Sequence, residues 1–236
     1  MTFTIDIYSD GAVVEDMVNM KEKGIVTGFT TNPSLMKLAG ISNYLSFAEQ
    51  ALQEVEKLPI SFEVFADDFE TMEKEAEKLA SLAENVYVKI PITNSLGESS
   101  IPLIKKLSEK KLKLNITAIM TIEQVRQTVD ALSEGTENIV SVFAGRVADT
   151  GVNPVPLMKQ ALEICREKQG TKLLWASSRE VYNIIQAQEL GVDIITVTPA
   201  LLGKLAMYKK DLDDLSLETV QGFHNDTKAL GFTILD

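Results

Sequence analysis

The chain has 236 residues, 45% of them hydrophobic and 24% charged, an ordinary globular composition with enough apolar material for a sizeable core. A net charge of −11 without a basic block argues against nucleic acid as a partner, and no apolar run reaches membrane-spanning length. The single cysteine, Cys165, excludes an internal disulfide and fits a reducing cytoplasm. It falls in a helical pattern with Leu157, Ala161 and Ile164, where it reads as a small packed hydrophobe. The N-terminus opens as an acidic strand pattern, not as a signal peptide.

In chain order, Phe3 to Tyr8 reads as a strand that ends in Ser9-Asp10-Gly11. A helix from Val13 to Lys23 follows, with Val14, Met17 and Met20 on its apolar face and Gly24 as its stop. Ile25 to Phe29 is a second strand, running into Thr30-Thr31-Asn32-Pro33-Ser34. Helical segments cover Pro33–Leu38 and Asn43–Leu58, then Ile60 to Ala66 is a third strand. The helix from Asp68 to Glu84 has a solvated face of Glu and Lys pairs. Val86 to Ile90, short and β-branched and followed by Pro91, is a buried fourth strand. The pattern repeats four more times: helix Ser99–Lys110 and strand Leu112–Ala118, helix Ile122–Leu132 and strand Ile139–Ala144, helix Pro154–Glu167 and strand Lys172–Ala176, helix Glu180–Leu190 and strand Ile194–Val197. Pro199–Met207 and a final helix, Leu217–Leu230, complete the chain before a short tail.

Strand–helix alternation implies parallel strands with crossover helices. Eight such units, without a linker or a composition shift, predict one α/β domain over 1–236. It is a (β/α)8 TIM barrel with 217–236 as an extra C-terminal helix and tail. A doubly wound open sheet would ordinarily carry a Gly-rich phosphate loop after an early strand, and neither G-x-G-x-x-G nor a Walker A motif occurs.

A barrel of this kind places its active site at the C-terminal ends of the strands. Strand one delivers Asp10 there and strand two Asn32; strand three carries Glu63 and strand four Lys89. Strand five carries Asn115 and Thr117, two apart and so on one face. Strand six ends with Phe143 and Arg146, strand seven with Ser177 and Arg179, strand eight with Thr196 and Thr198. Each has a plain structural explanation alone: a helix cap for Asp10 or Asn32, a surface charge for the arginines, an edge or snorkelling position for Lys89. Together they assemble a buried amine with two carboxylates, amide and hydroxyl groups suited to a polyhydroxylated substrate, and two guanidinium groups suited to a phosphate. No metal site is expected, because the one histidine, His224, lies in the last helix pattern and no Cys/His cluster exists. Carboxylate pairs at Asp67-Asp68 and Asp213-Asp214 read as helix caps or solvated charges.

Over nearly its whole length the sequence resembles the transaldolase family, especially the small subfamily that includes fructose-6-phosphate aldolases. The resemblance rests on Thr30-Thr31-Asn32-Pro33-Ser34, Val88-Lys89-Ile90-Pro91, Asn115-Ile116-Thr117, Phe143-Ala144-Gly145-Arg146 and Ala176-Ser177-Ser178-Arg179. It implies a Schiff-base enzyme that uses no metal or other cofactor. In that pattern Lys89 is the Schiff-base lysine and Asp10 the acid–base aspartate, while Glu63 and Thr117 hold the catalytic water. Asn32 and Asn115 bind the dihydroxyacetone hydroxyls; Arg146, Ser177 and Arg179 grip the phosphate. Tyr-Ser-Asp-Gly-Ala departs from the family's usual first motif, so Asp6 competes with Asp10, although Asp6 sits mid-strand and is expected nearer the barrel bottom. Glu63 and Phe143 stand where the aldolases tend to have glutamine and tyrosine, which favours transaldolase.

The reaction implied is transfer of a dihydroxyacetone unit from sedoheptulose 7-phosphate or fructose 6-phosphate to glyceraldehyde 3-phosphate or erythrose 4-phosphate. An aldolase releasing free dihydroxyacetone is the alternative. More distant are a phosphosugar isomerase forming no imine and a non-catalytic phosphosugar-binding protein. The resemblance also implies a homo-oligomer joined through the C-terminal helix, where Val220, Phe223 and Leu230 form an apolar stripe.

Overall fold

A computed structural model describes residues 3–232, 234 and 235. Eight parallel strands close into a barrel in sequence order: β1 (Asp6–Asp10), β2 (Gly28–Thr30), β3 (Ile60–Glu63), β4 (Val86–Pro91), β5 (Leu114–Ile119), β6 (Asn138–Val142), β7 (Thr171–Trp175) and β8 (Ile194–Val197). The helices are α1 (Val14–Glu22), α2 (Pro33–Leu38), α3 (Tyr44–Val55), α4 (Phe69–Ala80), α5 (Ile101–Glu109), α6 (Ile122–Ala131), α7 (Ala144–Asp149), α8 (Pro154–Arg166), α9 (Tyr182–Leu190), α10 (Pro199–Gly203) and α11 (Leu212–Leu230). The expected (β/α)8 architecture is the one observed. The chain divides into two compact units, Met1–Leu202 with the whole barrel and Gly203–Asp236 with α11. Among the described residues no helix is long and apolar enough to cross a membrane.

Period-2 alternation decides what faces the barrel interior. On β4, Val86, Val88 and Ile90 are buried on one face while Tyr87 and Lys89 share the other. The interior below the site is filled by Tyr8, Tyr87, Ile139, Leu174, Ala176 and Ile194, with Phe143 packed against them. Tyr8 fits because its neighbour in register on β2 is Gly28. A β-carbon at Gly28 would lie 2.5 Å from the tyrosine ring, so the glycine is required by space.

Several boundaries differ from the sequence reading, each for a local reason. β1 starts at Asp6, not Phe3, because its ladder with β8 begins at Ile194. β3 stops at Glu63 because the Glu75 carboxylate accepts from the Phe65 and Ala66 N–H groups at 2.7 and 2.9 Å, taking those groups out of the ladder. β6 ends at Val142 and the chain turns at once into α7, so Arg146 lies on a short helix and not at a strand end. The last helix begins at Leu212, not Leu217, because Asp211 accepts from the N–H groups of Asp213 and Asp214. Cys165 is buried on α8, where desolvation pushes its thiol up to about 12. His224 is exposed on α11.

Candidate active site

Strand register builds the site one layer at a time. Parallel pairing sets Glu63 beside Lys89 and Lys89 beside Asn115, so three polar side chains stand at one level of the barrel wall. Asp10 on β1 is paired with Thr30 on β2, the strand next to that of Glu63. These residues line a cavity of about 490 Å³ at the C-terminal ends of the strands, and all twelve strand-end residues named from the sequence lie on its wall: Asp10, Asn32, Glu63, Lys89, Asn115, Thr117, Phe143, Arg146, Ser177, Arg179, Thr196 and Thr198. Asp6 is elsewhere, at the start of β1, where Lys172 reaches its carboxylate at 3.5 Å.

Lys89 is 6% exposed. Its ammonium is held at two points, donating to the Thr31 carbonyl at 2.8 Å and to Glu63 Oε2 at 3.0 Å. A lysine buried to this degree without such partners would carry a large desolvation penalty. The backbone of Glu63 is fixed in turn by the Tyr44 hydroxyl, which donates to its carbonyl at 2.7 Å and whose ring stacks on Phe65.

Burial raises the pKa of the Asp10 carboxyl, and the neighbouring Glu63 adds to the effect. The Lys89 charge and bonds from Thr30 and Asn32 pull the other way without cancelling it. Thr30 Oγ1 donates to Asp10 Oδ1 at 2.7 Å, and Thr196 Oγ1 lies 2.6 Å from Thr30 Oγ1. While Asp10 is ionised, Thr30 commits its one proton to the carboxylate, so Thr196 must donate to Thr30. Protonation of Asp10 lets both hydroxyls turn round.

The two asparagines differ. Asn115 is oriented on both sides, donating to Ser61 Oγ at 2.9 Å and accepting from Ser141 Oγ at 2.6 Å. Asn32 spends its carbonyl oxygen capping α2, where it accepts from Leu35 N at 3.0 Å, so the cap reading and a site on the cavity wall hold together. The Thr117 hydroxyl is buried on the cavity wall and has no hydrogen-bond partner among the described residues. Ala118 follows it with a φ of +61° at a break in the β5–β6 register. A non-glycine residue held in that region beside a cavity is the kind of local strain that clusters at functional sites.

At the far wall, the Arg146 guanidinium lies over the Phe143 ring, 5.4 Å from its centroid. Ser177 is also left-handed, with a φ of +66°. Its carbonyl occupies the space where a β-carbon on Gly145 would stand, 1.6 Å away. Gly145→Ala is therefore expected to force α7 and the Ser177 loop apart, at a cost of about 1–3 kcal/mol typical of overpacking. A thermal melt indistinguishable from that of the unaltered chain would show that the loop relaxes freely.

Thr30 and Thr31 enter the sequence reading only as part of the Thr30–Ser34 motif, and Ser61, Ser141 and Asp149 do not enter it. For Ser61 the signal was present, since it lies two residues before Glu63 and so on the same face of β3.

A buried amine paired with one carboxylate, with a second on the same cavity wall at a barrel mouth, is a site for carbonyl chemistry. The comparisons with known proteins agree. Residues 7–234 match the family described as Transaldolase/Fructose-6-phosphate aldolase. A probable transaldolase of Bartonella bacilliformis is 36% identical over 90% of this chain and 93% of its own length. Another, of Bartonella tribocorum, is 33% identical over 96% of this chain and 98% of that protein. The chain belongs to the transaldolase/fructose-6-phosphate aldolase family and is an enzyme. Among solved structures, the tryptophan synthase A-subunit of Pyrococcus furiosus superposes with a TM-score of 0.58 at 12% identity, covering 91% of this chain and 96% of that one. A 2,3-dimethylmalate lyase does so with 0.59 at 12%, covering 91% and 84%. At that identity the likeness is one of fold alone.

Proposed function

We propose that the chain is a transaldolase. It moves a dihydroxyacetone unit from fructose 6-phosphate or sedoheptulose 7-phosphate to erythrose 4-phosphate or glyceraldehyde 3-phosphate. The observation that carries this reading is the buried Lys89 amine on a cavity wall that also bears Asp10, Glu63 and two arginines.

In this mechanism Lys89 first gives a proton to a neighbouring carboxylate. The neutral amine adds to the C2 carbonyl of the ketose phosphate. Glu63 and a water held by the Thr117 hydroxyl move the protons that release water and leave an iminium. Asp10 takes the proton of the C4 hydroxyl, the C3–C4 bond breaks into the iminium, and an aldose phosphate departs. The three-carbon enamine stays on Lys89 until an acceptor aldehyde enters and the steps reverse. A carboxylate whose pKa is raised by burial is a stronger base than an ordinary one and so better suited to taking a proton. Asn32 and Asn115 hold the hydroxyls of the three-carbon unit, and Arg146, Ser177 and Arg179 hold the phosphate.

Fructose-6-phosphate aldolase is the second reading. Phe143 weighs against it, because its ring offers an apolar surface covered by Arg146 and packed on the barrel interior, with no hydroxyl to direct water at the enamine. Incubation with fructose 6-phosphate, with and without erythrose 4-phosphate, separates the two. A transaldolase releases glyceraldehyde 3-phosphate mainly when the acceptor is present; steady release of free dihydroxyacetone without acceptor would make the chain an aldolase. We place the enzyme in the cytoplasm on its single cysteine. We also propose that it is a homo-oligomer in which another copy covers the exposed Leu217, Val220, Phe223 and Leu230 of α11.

A further inference from the structure

We propose that Asp149, at the end of α7, is a positioning residue that aims Arg179 at the substrate phosphate; this rests on reading the far wall of the cavity as a phosphate site. The Nε of Arg179 lies 3.0 and 3.1 Å from the two oxygens of Asp149, and Nη2 bonds the same carboxylate. Nη1 donates to the Ser177 carbonyl at 2.9 Å. One edge of the guanidinium is thus occupied by Asp149 and the side chain is tethered again by the loop. One hydrogen on each terminal nitrogen is left for a ligand, in the fork that suits two phosphate oxygens.

The pair is too exposed for a structural role. The Arg179 and Asp149 side chains are 45% and 52% exposed, and ion pairs in that setting contribute little to stability. Arg179 lines the cavity and Asp149 does not. What the carboxylate supplies is orientation: a long side chain with many rotamers is held in one of them before substrate arrives. The same helix braces the loop a second time, since Gly145 packs directly on the Ser177 carbonyl. A carboxylate near a phosphate also repels it, but at this exposure water screens that repulsion. Orientation is the larger effect.

The test compares erythrose 4-phosphate with unphosphorylated erythrose as acceptor at saturating donor, in the unaltered enzyme and in Asp149→Ala, Asp149→Glu and Arg179→Ala. Asp149→Ala is expected to raise the KM for erythrose 4-phosphate, and the inhibition constant of inorganic phosphate, about tenfold. The kcat and the KM for erythrose stay near their original values, and Asp149→Glu recovers part of the loss. If Asp149→Ala does not fold, Asp149→Asn serves for the same measurement. An equal rise for both acceptors, or tighter phosphate binding, would overturn the positioning role. Arg179→Ala separates the two levels of the argument. If it abolishes the preference for the phosphorylated acceptor while Asp149→Ala leaves it intact, only the role of Asp149 falls. If it also leaves the preference intact, the phosphate site falls with it.

Discussion

Borohydride added to the enzyme and fructose 6-phosphate is expected to fix three donor carbons on Lys89 as a secondary amine. Lys89→Met should lose both the adduct and turnover, with a fall in kcat on the order of 10⁴ or more, as for other covalent nucleophiles. Methionine keeps the length and apolar stem of the side chain, so the loss isolates the amine. The Thr31 carbonyl and Glu63 would each be left without their Lys89 bond. A folded Lys89→Met protein that still traps donor carbon, located on another lysine by peptide mapping, would end the assignment. Trapping in the unaltered enzyme without transfer would retain the imine and remove the acceptor half of the mechanism.

Asp10→Asn is expected to have opposite effects on rate and stability. As the proposed acceptor of the C4 hydroxyl proton, Asp10 should contribute about 10²–10⁴ to kcat. Its raised pKa means that the folded protein binds the proton more tightly than the unfolded chain does. Stability from this group is therefore complete at pH below the unfolded carboxyl value of about 3.9, and is lost as pH rises through the folded value. Asparagine is neutral throughout and can still accept the Thr30 hydrogen bond. The variant should thus be more stable near neutral pH, by about 1 kcal/mol or a few degrees in Tm. The gain should shrink toward zero in acid, where both side chains are uncharged in both states. A lower Tm at neutral pH would show that the Lys89 charge and the Thr30 bond outweigh burial.

The barrel was legible because strand and helix patterns alternate eight times, although β4, β6 and β8 are buried on both faces and carry no alternation of polarity of their own. Lys89, Glu63 and Asn115 could be placed at the mouth from their positions on strands four, three and five of such a barrel. The partner each would meet was not legible, because it depends on register between strands far apart in sequence. Asn115 is held by Ser61 and Ser141, 54 and 26 residues away, and Thr30 meets Thr196 at a separation of 166. Arg146 was assigned to the right cavity on the wrong element. Phe143-Ala144-Gly145-Arg146 reads as a strand running into a turn, and only the packing of Gly145 against the Ser177 carbonyl shows why a helix starts there. Asp149 gave no signal, since a lone aspartate at a helix end has many ordinary uses.

The tyrosine that fills the space left by Gly28 has a consequence for traffic. Tyr8, Tyr87 and the aliphatic side chains around them seal the barrel beneath the cavity, whose wall includes Leu174, Ala176 and Phe143 of the same cluster. Under the proposed mechanism, cargo has one doorway. The aldose phosphate leaving after bond cleavage must clear the arginines before the next can enter, because both depend on the same grip. Donor and acceptor take turns at one berth, with Lys89 holding the passenger between visits. By that mechanism the exchange is ping-pong, and each aldose phosphate competes with the other for the loaded enzyme.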